Sequence, residues 1–511
     1  PGRRRFSPDP MTAPAVPSLS YAFAKRHGVA VIALGDMAEV ALREGADPLS
    51  LVEARRVLGR PLKVEPASRS AFDRLLSEAY AGDPLAGPDA GDDLALPGGL
   101  DSLVDEMPAA ADLLDTTDDA PVIRLINGLI AEAVRAGASD IHLEPYEQAL
   151  IVRMRVDGVL KEALTLNPRL TPVVVSRIKV MARLDIAEKR IPQDGRIPLA
   201  LGGRTLDVRV STLPSRAGER VVLRILDKDQ AGLGLRDLGM DEATLDAYHA
   251  ALAEPNGILL VTGPTGSGKT TTLYAGLSLL NTGTRNILTV EDPVEYAVEG
   301  VGQTQVNAKV GMTFAAGLRA ILRQDPDVVM VGEIRDVETA SIAVQAALTG
   351  HLVLSTVHTN DAAGAVTRLR DMGVEPFLLA STLRLIMAQR LVRRLCPHCH
   401  TPEVADAATA RLVGIAAGQT VWRPTGCDAC GQTGYVGRVG LYETIRVTDT
   451  LRRLITTGAD EAAMNAEALG DGRTLAGQAR ALVLDGTTSV EEALRVTRTR
   501  SEDLPPIEAV A

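Results

Sequence analysis

Residues 263–270 read Gly263-Pro264-Thr265-Gly266-Ser267-Gly268-Lys269-Thr270. This G-x-x-x-x-G-K-T spacing constrains the chain more than any other stretch, because it needs a tight backbone loop between a strand and a helix. The flanks supply both. Gly257–Thr262 is an apolar run that reads as a buried strand, and Thr271–Leu280 reads as a helix. In that context the loop aims its backbone N–H groups at the β- and γ-phosphates of a nucleotide, aided by the positive end of the helix. Lys269 is expected to neutralise phosphate charge and Thr270 to place its hydroxyl on Mg²⁺. Residues 263–270 with Thr271 are therefore the candidate contacts for ATP. A bland Gly/Ser turn would not need all eight positions in this order.

The chain has 511 residues, enough for about three or four domains. Its net charge of −11 is local rather than general. Residues 81–120 hold eleven acids and no Lys or Arg, so the remainder is neutral. No block of Lys and Arg with interleaved aromatics marks a nucleic-acid surface, and no nucleic-acid partner is expected. No apolar run reaches the length of a membrane span, and no export signal is evident, so a cytoplasmic protein is expected. The stretch before Met11 looks like sequence upstream of the true start.

The pattern along the chain divides it further. Residues 11–80 read as a small helical domain, with helices over Ala38–Glu44 and Leu49–Leu58 broken by Gly45-Ala46-Asp47-Pro48, and a third over Ser70–Tyr80. Residues 81–120 read as an acidic linker poor in large apolar residues. An α+β domain is expected over 121–230. It has helices at Ile123–Ala136 and Pro172–Arg183, alternating strands, and a hairpin turn at Asp157-Gly158. From 240 to 391 apolar strands at Gly257–Thr262, Asn286–Glu291, Asp327–Gly332 and Leu352–Val357 alternate with helices. That alternation implies an α/β core with a parallel sheet covered on both faces. A cysteine module (392–441) and a helical tail (442–505) complete the chain.

Ligands of open parallel sheets bind beyond the carboxyl ends of the strands. Two acids lie there. Glu333 closes the run Asp327–Gly332, and Glu291 opens Glu291-Asp292-Pro293-Val294-Glu295. Either could serve the cation or the attacking water. His351 and His358 bracket Leu352–Val357; His358, at the carboxyl end, is the better γ-phosphate contact, whereas His351 reads as structural. Cys396, Cys399, Cys427 and Cys430 are all the cysteines present, arranged as two C-x-x-C knuckles. Four thiolates suit a structural Zn²⁺ with no open position. Cys396-Pro397-His398-Cys399-His400 also fits the C-x-x-C-H of haem attachment, and a reduced metal-free loop is a further alternative.

These motifs together resemble the secretion ATPase superfamily, most closely the type II secretion ATPases. The resemblance spans essentially residues 18–500. It rests on Arg190–Arg196 (RIPQDGR), Val210–Pro214 with Gly218-Glu219-Arg220, the phosphate loop, the acidic run at 291–295, Leu322–Asp327 leading into Gly332–Asp336, the histidine segment 349–361 and the four cysteines. It implies a RecA-like core in a homo-hexamer, with Arg209 and Arg224 of the second domain aimed at the phosphates. It also implies a first domain that docks on an inner-membrane partner, namely the cytoplasmic domain of the L-type component, with the polytopic platform protein as a second contact. Peripheral attachment to the inner membrane follows. Pilus-assembly ATPases share the core and the cysteines. The segment Leu19–Val29 resembles the secretion type.

Overall fold

The computed structural model describes residues 19, 21–68, 71, 72, 75, 120–201, 204–227, 233–469 and 474–497. The acidic linker, apart from Ala120, lies outside them, as do the first eighteen residues and most of the helix expected over Ser70–Tyr80. The chain forms two compact units, residues 1–229 and 230–511.

The first unit opens with α1 (Tyr21–His27), β1 (Val29–Leu34), β2 (Ala38–Arg43), α2 (Ser50–Leu58) and β3 (Leu62–Ala67). The three strands form one sheet in the order β1-β2-β3. The expectation of a helical domain is thus corrected to a mixed one: Ala38–Glu44 is not a helix but the central strand. Seven residues are too few for a helix to stabilise itself, whereas β2 pairs with a strand on each side. Val40 and Ala41 are then buried on opposite faces, one in a core with Val29 and Leu58, the other against Phe72, Val180 and Ile186. The α2 helix does form, ending on Gly59 in the left-handed conformation (φ 63°).

Residues 120–227 add α3 (Ala120–Arg135), β4 (Ala138–Pro145), β5 (Leu150–Val156), β6 (Val159–Leu166), α4 (Thr171–Met181), β7 (Gln193–Leu201), β8 (Arg204–Ser215) and β9 (Gly218–Asp227). The six strands make an antiparallel sheet in the order β6-β5-β4-β9-β8-β7. Asp157 and Gly158 both adopt positive φ, the two-residue turn that matches strand twist. One sheet face packs Ile141, Leu143, Val208 and Leu223 beneath Ile126, Leu129 and Ile178 of the two helices. The alternate positions, Asp140, Glu144, Arg153, Arg209 and Arg224 among them, occupy the other face.

The second unit is built on a seven-stranded sheet in the order β12-β11-β13-β14-β10-β15-β18. Its elements are α5 (Glu242–Leu252), β10 (Gly257–Thr262), α6 (Lys269–Leu280), β11 (Ile287–Glu291), β12 (Gly302–Gln305), α7 (Phe314–Ile321), β13 (Val328–Val331), α8 (Val337–Leu348), β14 (Leu352–Val357), α9 (Ala362–Asp371), α10 (Pro376–Thr382) and β15 (Leu383–Leu395). These strands pair in parallel, and the four apolar runs are all among them. Apolar clusters lie on both sides of the sheet. Between β15 and β18 (Tyr435–Arg446) run β16 (Thr401–Val404), α11 (Ala407–Val413) and β17 (Thr420–Arg423) with the cysteines. Because β15 and β18 pair antiparallel from Leu385–Arg446 to Leu395–Tyr435, the cysteine segment is a loop insertion in the main sheet, and residue 391 falls inside a strand. Helices α12 (Asp449–Thr456), α13 (Glu461–Ala468), α14 (Leu475–Leu484) and α15 (Val490–Thr497) bury Leu451, Ile455, Met464, Val483 and Ala493 in the core on one side.

Candidate functional site

The loop from Gly263 to Gly268 joins β10, whose six residues are all buried, to the first turn of α6. Gly263 has φ 148°, and a Cβ there would lie 2.4 Å from the Gln389 carbonyl oxygen. Only glycine fits so close to β15. Pro264, Thr265 and Gly266 are exposed, Thr270 and Thr271 half-buried, and Ser267 and Lys269 buried. Lys269 Nζ donates to the carbonyls of Gly263 (2.8 Å) and Pro264 (3.0 Å). The lysine thereby folds back over its own loop. Burial pulls its pKa down to about 8; Glu333 opposes the shift and Arg390 adds to it. Ser267 Oγ is buried without a hydrogen-bond partner. Such an orphaned hydroxyl, a desolvated ammonium and a ring of loop N–H groups together fit a phosphate. Thr270 offers a hard oxygen, the kind of donor Mg²⁺ takes alongside nucleotide phosphates.

Glu333 follows β13 and His358 follows β14, so the sheet brings both to the carboxyl edge. His358 Nε2 lies 3.2 Å from Glu333 Oε2, and Arg335 pairs with the other carboxylate oxygen. In the sheet β14 lies between β13 and β10, all three parallel, so Glu333 and the phosphate loop leave the same edge two strands apart. His351, at the opposite end of β14, sits 2.9 Å from the Ala346 carbonyl oxygen and closes the end of α8. The two histidines serve different places, as their spacing requires.

Glu291 is different. Its side chain is buried, and three donors hold it: Tyr274 Oη on one oxygen, Thr289 Oγ1 (2.5 Å) and Gln303 Nε2 (3.2 Å) on the other. Burial raises its pKa, and the three hydrogen bonds counter the rise. The neighbouring Asp292 is exposed and does not share this pocket, whereas the Glu295 backbone N–H reaches the same Tyr274 hydroxyl.

Several residues at the site carried no motif. Tyr274 lies within α6. Gln389 accepts a 2.8 Å hydrogen bond from Thr272 Oγ1, and Arg390 donates to the Asn360 carbonyl at 2.7 Å. Burial lowers the Arg390 pKa while Glu443 and Asp361 support its charge. The available signal was a Gln-Arg pair placed directly after the apolar run Leu385–Ala388 of β15.

In the first unit, Arg209 and Arg224 are direct neighbours across β8 and β9, and Arg196 on β7 is opposite Arg209. Like charges directly opposite one another destabilise a sheet. Arg224 Nε donates to Asp140 Oδ1 at 2.8 Å. Burial would raise the Asp140 carboxyl, but the hydrogen bonds from Arg224 and Ser139 outweigh it and hold the pKa below its ordinary value.

The four cysteine sulfurs lie within 4.8 Å of one another. Cys396–Cys427 measures 3.9 Å, and Cys399–Cys430 and Cys427–Cys430 each 3.8 Å. Disulfide sulfurs would be about 2 Å apart. A tetrahedron with metal–sulfur bonds of about 2.3 Å has edges of about 3.8 Å. The N–H groups of Cys427 and Gly434 point at the Cys430 sulfur (3.2 and 3.1 Å) and outweigh burial to pull its thiol down to about 6. The cluster is compatible with a tetrahedral metal. His400 lies edge-on to Trp422 and 2.7 Å from the Cys396 carbonyl oxygen.

Residues 115–495 match the family model described as Type II/IV secretion system protein, and residues 18–80 match the model of an N-terminal domain of GSPII protein E. Type II secretion system protein E of Pseudomonas aeruginosa is 56% identical over 492 residues, covering 96% of this chain and 98% of that protein. The Klebsiella pneumoniae protein of the same description is 55% identical, covering 94% and 97%. Type II secretion system ATPase E of Vibrio cholerae is 52% identical, covering 88% and 91%. Among solved structures, the pilus retraction motor PilT with bound ADP is 27% identical with a TM-score of 0.51, covering 74% of this chain and 97% of that one. The ATPase DotB of Legionella pneumophila has a TM-score of 0.53 at 21% identity, covering 73% and 94%, a likeness of fold.

Proposed function

The chain belongs to the Type II/IV secretion system protein family, and on that premise we propose that it is the ATP hydrolase that powers pseudopilus assembly and protein export by a type II secretion system. The observation that carries the proposal is the convergence, at one edge of a parallel sheet, of a phosphate loop, a desolvated lysine and a carboxylate–histidine pair.

The chemistry follows from that arrangement. ATP phosphates displace the loop carbonyls from Lys269, whose charge is then held by the phosphates instead. Mg²⁺, held through the Thr270 hydroxyl, would neutralise charge between the β- and γ-phosphates. Glu333 is assigned the water: it accepts the proton as the water oxygen bonds to the γ-phosphorus and the bond to ADP breaks. His358 orients that carboxylate. Glu291, buried and held by three donors, is assigned a positioning role. Arg209 and Arg224 are assigned to phosphate charge, a use that accounts for like charges side by side on one sheet face.

The cysteine site is assigned to Zn²⁺ in a structural role, since four thiolates leave no open position. The working form is a homo-hexamer. The first domain docks on the cytoplasmic domain of the L-type inner-membrane component, and the platform protein is a further partner. Among the described residues no helix is long and apolar enough to cross a membrane. Attachment to the inner membrane is therefore assigned to these partners.

Deletion of the gene tests the assignment to secretion. Folded exoproteins stranded in the periplasm are the expected result; loss of surface pili with secretion intact would transfer the protein to pilus assembly.

A further inference from the structure

Tyr274 lies one turn beyond Thr270 on α6. Residues four apart share a helix face, about 6 Å apart along the axis. The tyrosine is 1% exposed. Its hydroxyl donates to Glu291 Oε2 and accepts from the Glu295 backbone N–H and Gln303 Nε2, both at 3.3 Å. Its ring meets Tyr296 edge-on, with centroids 4.6 Å apart. One side chain thus ties the phosphate-loop helix to the end of β11, to the acidic segment after it and to β12. Burial and the adjacent carboxylate push the phenol pKa up, so it remains a donor across the working range. An apolar pair would fill this position without the cost of a desolvated carboxylate.

We infer that Tyr274 is a positioning residue for the divalent cation: through Glu291 it fixes the helix face that carries Thr270. This rests on the reading of Thr270 as the cation's hydroxyl. Groups that hold a metal ligand in place from behind contribute strongly to affinity. Thr289 offers a contrast, because it also bonds Glu291 but sits on β11, the same strand, and ties nothing to α6.

The test is equilibrium binding of Mn²⁺ to the full-length protein with ADP, read by the electron paramagnetic resonance of free Mn²⁺. Tyr274→Phe should weaken Mn²⁺ binding roughly 10-fold. ADP affinity without metal should stay within about twofold, because the loop contacts to phosphate are untouched. Glu291→Gln, which keeps the side-chain shape, should weaken Mn²⁺ in the same direction, and it stands in if the phenylalanine variant does not fold. Thr289→Val should leave Mn²⁺ binding unchanged. Unaltered Mn²⁺ binding in Tyr274→Phe or Glu291→Gln, or an equal loss in Thr289→Val, overturns the inference. Thr270→Ala separates the two levels. If it binds Mn²⁺ as the wild type does, the reading of Thr270 falls; if it alone loses Mn²⁺, only the role of Tyr274 falls.

Discussion

Two carboxylates that look equivalent in the sequence have opposite environments. Glu333 is next to an exposed histidine and acts on Lys269, while Glu291 is sealed among Tyr274, Thr289 and Gln303. Glu333→Gln should therefore lower the turnover number by roughly 10²–10⁴-fold with ADP binding retained. Glu291→Gln should lower it less, and a greater loss in Glu291→Gln would reverse the assignment. Lys269 makes a second prediction at this scale. Its pKa is depressed to about 8 in the nucleotide-free loop. The unfolded chain binds more protons than the folded one between that value and the ordinary lysine range, so this group's contribution to stability rises with pH there. Phosphate restores the charged form, so ATP binding near pH 9 should take up about one proton. Calorimetry in buffers of different ionisation enthalpy would show it as a buffer-dependent heat, and identical heats would contradict the burial argument. The phosphate loop, Glu333, His358 and the cysteines were legible because each follows a spacing. Tyr274, Gln389 and Arg390 were not, since what marks them is burial beside the loop, and burial has no local pattern.

Among the elements, the apolar runs were the readable ones. A strand buried on both faces, such as Leu352–Val357, needs no help from its surroundings to declare itself. Strand β2 mixes Ala, Val and Leu with two charged residues in no strict alternation, a pattern that suits a short helix equally well, and its partners on either side decide the outcome. The β15 strand hid because its arginines interrupt the apolar run, although Arg390 and Arg393 are paired, the latter with Glu492 of α15. That strand and β18 hold the cysteine loop like a clasp. The Arg393 guanidinium also lies 4.0 Å over the Tyr435 ring, and Tyr435 Oη is 2.7 Å from Ser489 Oγ. Metal at the cysteines should thus stabilise the final helices as well as the loop. Removing it with a strong chelator should lower the melting temperature by several degrees and expose amides of β16–β17 to hydrogen exchange. An unchanged melting curve, with the metal shown to be gone, would remove the structural role.

For the whole molecule, the role proposed for Arg209 and Arg224 makes a specific demand: turnover should depend on the first unit as well as on the phosphate loop of the second. Arg224→Ala should reduce turnover while leaving the first unit folded, since the side chain is mostly exposed and its loss frees only Asp140. Turnover equal to the wild type would detach that unit from catalysis. A nucleic-acid motor would show hydrolysis stimulated by DNA and strongly salt-sensitive DNA binding; the present reading expects the same rate with and without DNA. All these expectations depend on hydrolysis at residues 263–270. The most direct measurement is steady-state ATP turnover by the purified full-length protein beside its Lys269→Ala variant. Multiple turnover by the wild type with none above background in the variant is the predicted result, and equal turnover in both would contradict it.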